Sequence, residues 1–130
     1  MSASRPAYQP GVCNIGPAEI RARRLSGVVG LLAMLGLFAL LALLHAHPRW
    51  RLLLFLPAAV GAAGFLQAEM RFCANYGWRG VFNFGSQLRD VTDVTSRQAA
   101  AADRRAALRI GVLSALVGAV VAVAAVLIPA

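Results

Sequence analysis

The chain has 130 residues, enough for one domain, with 59% hydrophobic and only 14% charged side chains. A soluble domain carries about a quarter charged residues, so this balance excludes an ordinary soluble globule. Net charge is +8 and all thirteen basic residues are Arg; they flank apolar runs, where topology and anionic lipid head groups account for them better than nucleic acid does.

Residues Met1–Pro17 hold Pro6, Pro10 and Pro17 with little apolar pattern. They read as a tail with an ordered end near Cys13–Pro17. Pro17 suits the first position of a helix, where its missing N–H costs nothing. Glu19 then sits in the first turn, favourable against the helix dipole. Residues 20–26 form a short basic helix that lies at the interface or runs straight into the first span. Arg21, Arg23 and Arg24 resemble the charged region of a signal peptide, but the apolar run after them is too long for a signal core. An uncleaved anchor is expected.

Two apolar runs follow, Gly27–Leu44 and Leu52–Ala68. Each is close to the ~20 residues that span a bilayer core as a helix. Backbone polar groups in lipid must be satisfied internally, so both runs should be helical. The short connection makes them antiparallel neighbours, a transmembrane hairpin. Gly27, Gly30 and Gly36 recur at multiples of three in the first run, and Gly61 and Gly64 lie in the second. Small residues let helices approach closely in lipid. In the connection, His45 and His47 lack a nearby acid and do not make a metal site. Trp50 is an aromatic interfacial anchor, with Arg49 and Arg51 at head-group depth. Pro57 should kink the second span.

Glu69–Arg109 is the polar section, crowded with Phe72, Tyr76, Trp78, Phe82 and Phe84 among glycines. Aromatics of this kind favour the membrane interface, and Trp78 is a second anchor. The glycines argue for turns or a re-entrant loop. Helix resumes near Ser96, capped by Asp93, Thr95 or Ser96. Arg104, Arg105 and Arg109 anchor the lipid boundary. The third apolar run, Ile110–Ala130, carries Ser114, Gly118 and Ala122 at spacing four, a helix-packing face.

The fold expected is therefore an all-α integral membrane protein. A tail and short basic helix occupy 1–25, the transmembrane hairpin 26–69, the aromatic and arginine-rich section 70–107, and a third transmembrane helix 108–130. Eleven arginines flank one side of the spans and two the other. The positive-inside rule places the tail and the 70–107 section in the cytoplasm. Cys13 and Cys73 then face the same reducing side. Each lies near one end of the hairpin, so they are candidates for a thiol pair; a cation near a thiol favours its thiolate form.

Asn14-Ile15-Gly16, the basic residues Arg21 and Arg24, Gly27, Trp50, Gly61, Gly64-Phe65 and Cys73 form a pattern over residues 14–73. On these residues the segment resembles the small inner-membrane domain of the YgaP-like family. The resemblance implies a helical hairpin that can dimerise in a bacterial inner membrane. Family members often carry Cys-Pro straight after Gly-Phe, where this chain has Leu66-Gln67. No Ser/His/Asp set or phosphate loop is present, so no catalytic residue, metal or cofactor is assigned. The function expected is a small membrane protein of packing or accessory type. It would self-associate or join a larger complex. A thiol-based sulfur or redox accessory role through Cys13 and Cys73 is the alternative. A transporter or channel component ranks last, for want of a polar pore lining.

Overall fold

The computed structural model describes residues 8–129; the tail reading for residues 1–7 lies outside them. Three helical segments are long and apolar enough to cross a membrane. Helix α1 runs Pro17–Leu43 without a break, so the basic stretch continues straight into the apolar run. Gly16 caps it in extended backbone, Pro17 opens it, and Glu19 stands in its first turn. The chain then turns through His45, which is left-handed at φ 51°. His47 caps the next segment, its Nδ1 accepting the Arg49 N–H at 3.1 Å.

The second span has two parts. A 3-10 helix covers Pro48–Leu54 and α2 covers Phe55–Met70. Pro57 is the third residue of α2. The disruption expected in the first half of the span therefore falls beside the change from 3-10 to α geometry, in a first turn whose N–H groups have no α-helical partner to lose. Helix α2 ends on Arg71, left-handed at φ 54°. Phe72 N–H reaches Gln67 O and Arg71 N–H reaches Ala68 O, which makes a Schellman ending.

A short α3, Ala74–Arg79, leads to β1, Val81–Phe82, which pairs antiparallel with β2, Thr92–Asp93. The fold is thus mainly helical, compatible with an all-α membrane protein, and among the described residues β1 and β2 add one ladder of two residues per strand. Helix α4 spans Arg97–Leu127. Its 31 residues extend ~46 Å at 1.5 Å each, longer than a bilayer core. Ser96 caps it, its hydroxyl accepting the Ala99 N–H at 3.2 Å. The first turns of α4 lie outside the apolar run and pack on α3. There Phe72, Ala106, Ala107 and Ile110 form a buried cluster.

Helix α2 is the centre of the bundle, with α1 and α4 packed against it. Glycine sets the α1–α2 distance. A Cβ placed on Gly30 would stand 2.6 Å from both Cα and N of Gly61. One on Gly27 would stand 2.8 Å from the Phe65 ring, and one on Gly64 would run into the Gly27 backbone. On the other side Gly118 of α4 rests against Phe55 and Ala59, with Ser114 and Ala122 buried in the same seam. Gly36 departs from the packing expectation, with open space where its Cβ would be. It lies nine residues after Gly27, about two and a half turns, and so on the opposite side of α1. Large apolar side chains such as Leu32, Leu43, Leu56, Val120 and Leu127 point outward.

Arg51, expected beside Arg49 at the end of the span, is buried, 3% exposed. Its Nη1 donates to Ala125 O at 2.9 Å and Ile128 O at 2.7 Å, closing the carbonyl end of α4. Its guanidinium also lies 5.4 Å from the Phe38 ring centroid of α1. A cation at a helix C-terminus satisfies orphan carbonyls and meets the negative end of the dipole. One side chain thereby joins all three long helices at the end remote from the polar section.

Replacing Gly64 with Ala should lower stability by about 1–3 kcal/mol through overpacking. Gly36→Ala should leave it unchanged or raise it by up to about 1 kcal/mol through helix propensity. Thermal unfolding in one mild detergent compares the two; equal effects would refute the seam.

Candidate functional site

The polar section folds back over the ends of α1 and α2 as a cap, and the segment before α1 straps it down. Tyr8 OH donates to Asp103 Oδ2 at 2.6 Å, and Gly11 N–H donates to Asp103 Oδ1 at 2.7 Å. The Tyr8 ring stacks on Phe82 at 4.7 Å. Asn14 N–H then reaches Arg71 O at 3.0 Å, and Gly16 N–H reaches Asn83 O at 2.9 Å. The left-handed backbone at Arg71 brings that carbonyl to the strap. Asn14 is fully buried. Its Oδ1 accepts the Cys73 N–H at 2.7 Å and its Nδ2 donates to Cys73 O at 3.2 Å.

Glu19 sits at the centre, 1% exposed. Its Oε2 accepts Tyr76 OH at 2.5 Å, Asn83 Nδ2 at 3.0 Å and the Arg89 backbone N–H at 2.7 Å. Its Oε1 lies 3.4 Å from Arg23 one turn along α1. Four segments thus meet on one carboxylate. A buried charge is tolerated only when paired and hydrogen-bonded, and this one is both. Burial and the bond to Glu19 push the Tyr76 hydroxyl up to about 12. Burial also pushes up Tyr8, which is further raised by its bond to Asp103.

Arg23 is shared. Its Nη2 donates to Cys73 Sγ at 3.0 Å, and its guanidinium stands 5.7 Å from the Tyr76 ring centroid. Its Nε is buried with no partner among the described residues. Cys73 packs with Ile15, Tyr76 and Val81 and borders a cleft of about 630 Å³. The cleft is lined by Arg23, Arg79, Arg89, Ser26, Gln67 and Asn75, among others.

The candidate thiol pair lies at this end of the bundle. Cys13 and Cys73 are both buried and free. Asn14, the residue after Cys13, is what grips the Cys73 backbone. Cys13 points elsewhere, its Sγ 3.8 Å from Ile15 O, and burial pushes its thiol up. Trp50 and Trp78 are about half exposed, Trp50 beside Arg49 and Trp78 beneath Arg104. Arg104, Arg105 and Arg109 are exposed on α4. Glu19, Asn83 and Asp103 were not foreseen as site residues. The only signal was scarcity, since the chain has five acidic residues in all and two of them are fully buried here.

No family model, curated protein or solved structure matches the chain.

Replacing Glu19 with Ala removes the acceptor of the Tyr76, Asn83 and Arg89 donors and leaves Arg23 without its counter-charge. The loss expected is about 3–5 kcal/mol, read as a lower midpoint in thermal unfolding followed by Trp78 fluorescence in a Trp50→Phe background. Glu19→Gln, which keeps an acceptor, should lose less. A midpoint unmoved by Glu19→Ala would show that the carboxylate does not hold the cap.

Proposed function

We propose that the chain is a small multi-pass membrane protein of accessory type, acting by packing its spans against a second copy or a larger membrane complex. One observation carries this reading. Between α1 and α4 lies an apolar groove of about 230 Å³, floored by Ala58, Gly61 and Ala62 and walled by Leu31, Met34, Val117 and Val121. In lipid, helices associate through close van der Waals contact at small residues, and this groove offers a helix a floor of that kind. The hairpin of residues 14–73 is proposed to be of the YgaP-like type. Its signature residues Gly27, Gly61, Gly64 and Phe65 lie at the α1–α2 seam, which supports that assignment.

The cap is proposed to face the cytoplasm of a bacterial inner membrane, with anionic head groups around it. Arg21, Arg24, Arg71, Arg79, Arg89, Arg97, Arg104, Arg105 and Arg109 are all exposed at the cap end or the adjoining turns of α1 and α4. At the other end Arg49 is exposed and Arg51 is engaged with α4. A second reading, thiol chemistry at Cys73, is favoured by the Arg23 donor on its sulfur.

Filling the groove tests the first reading. Wild-type protein in mild detergent should run as an oligomer or crosslink to itself in membranes. Ala62→Phe should shift it toward monomer with little change in melting temperature. A wild-type protein that is monomeric in membranes and joins no complex would end this reading. For side and reactivity, a membrane-impermeant thiol reagent applied to Cys13→Ser cells should label Cys73 only after lysis. Labelling of intact cells would reverse the orientation. Equal labelling rates with and without Arg23→Gln would end the thiol reading.

A further inference from the structure

We infer that the cleft beside Cys73 binds a phosphate group through Arg23, Arg79 and Arg89. The inference rests on the cleft itself, independently of self-association or of thiol reactivity. The space is about 630 Å³, within the range of ligand-binding pockets. Three arginines line it and no acidic residue does. The buried Glu19, outside the lining, spends Oε2 on Tyr76, Asn83 and the Arg89 backbone and offsets Arg23 through Oε1 at 3.4 Å, so the charge in surplus is that of Arg79 and Arg89. Among the described residues the Arg79 and Arg89 side chains make no hydrogen bond or ion pair. Arg23 keeps a buried Nε without a partner. The wall therefore holds more donors than acceptors and more positive charge than the protein neutralises.

Phosphate fits this surplus better than a carboxylate does. Its tetrahedral oxygens accept paired N–H bonds from more than one guanidinium at once. Ser26 and Asn75 add neutral donors to the lining. The position matters as well. Ser26 stands immediately before Gly27, where the apolar run of α1 begins, and Gln67 stands at the end of that of α2. The cleft thus opens at the level where lipid phosphates lie if the apolar runs occupy the bilayer. The phosphate could come from a lipid head group or from a free phosphate ester, and both present the same chemistry to the arginines.

The full chain purified in a neutral detergent serves for the test. Its melting temperature is followed against inorganic phosphate, a water-soluble short-chain phosphatidylglycerol, a phosphate-free monoacylglycerol of the same chain length, and chloride at equal ionic strength. A saturable rise with phosphatidylglycerol alone supports the site and assigns it to lipid. A rise with inorganic phosphate as well supports it and assigns it to free phosphate. Arg79→Gln and Arg89→Gln together should weaken the apparent affinity by about tenfold or more, as expected for lost charged hydrogen bonds. Arg79→Gln alone serves if the double variant unfolds, since that side chain has no internal bond to lose. Arg24→Gln, outside the cleft, should bind as wild type. Equal responses to the phosphate-free monoacylglycerol and phosphatidylglycerol would overturn the inference, as would unchanged affinity in the Arg79 variants.

Discussion

A single carboxylate holds the cap on the bundle. Glu19 belongs to α1, yet its partners come from α3, from the residue after β1 and from the loop before β2. None of those elements has a hydrophobic core large enough to fold alone. The ladder is two residues per strand and α3 has six residues. A two-stranded ladder is marginal by itself in water, and a helix of that length is weaker still. Their order comes from being hydrogen-bonded to a charge that is itself fixed in a long helix. The strap adds a second set of fixed points through Asn14 and Asp103.

Two different physics meet along α1. In its apolar run, cohesion is contact between backbones, set by Gly27, Gly30, Gly61 and Gly64. If these helices lie in lipid, no hydrophobic force acts between them, and closeness of approach is what counts. Before Gly27 cohesion is largely polar, with Glu19 taking three donors and Arg23 left with one unmatched N–H. Arg23 stands at the border, bonded to a carboxylate on one side and a sulfur on the other.

The spans were legible in the sequence because lipid demands length and apolarity, and little else competes with that signal. The face of Ser114, Gly118 and Ala122 was legible because spacing four keeps residues on one side of a helix. Spacing three does not, and Gly36 accordingly winds out of the seam that Gly27 and Gly30 occupy. The cap was legible only as irregular and glycine-rich. Its order depends on pairs such as Asn14 with Cys73 and Tyr8 with Asp103, separated by 59 and 95 positions; local pattern carries no trace of such pairs. The partners of Arg51 were hidden for a related reason. An arginine beside an apolar run reads as an interfacial anchor, and only the returning end of α4 makes it a cap as well.

That last contact has a consequence for how the molecule is made. Arg51 lies 74 positions before Ala125, the earlier of its two acceptors. During synthesis the hairpin is complete before most of α4 has emerged, since chains are built from the N-terminus. Until the final turn arrives, Arg51 has no carbonyl to meet and must stay in contact with water or head groups. A desolvated guanidinium without a partner is costly inside a membrane. If the apolar helices lie in a bilayer, docking of the last turn of α4 is what gives Arg51 its carbonyl partners. The end of the chain would then free an earlier segment from the water it had to keep.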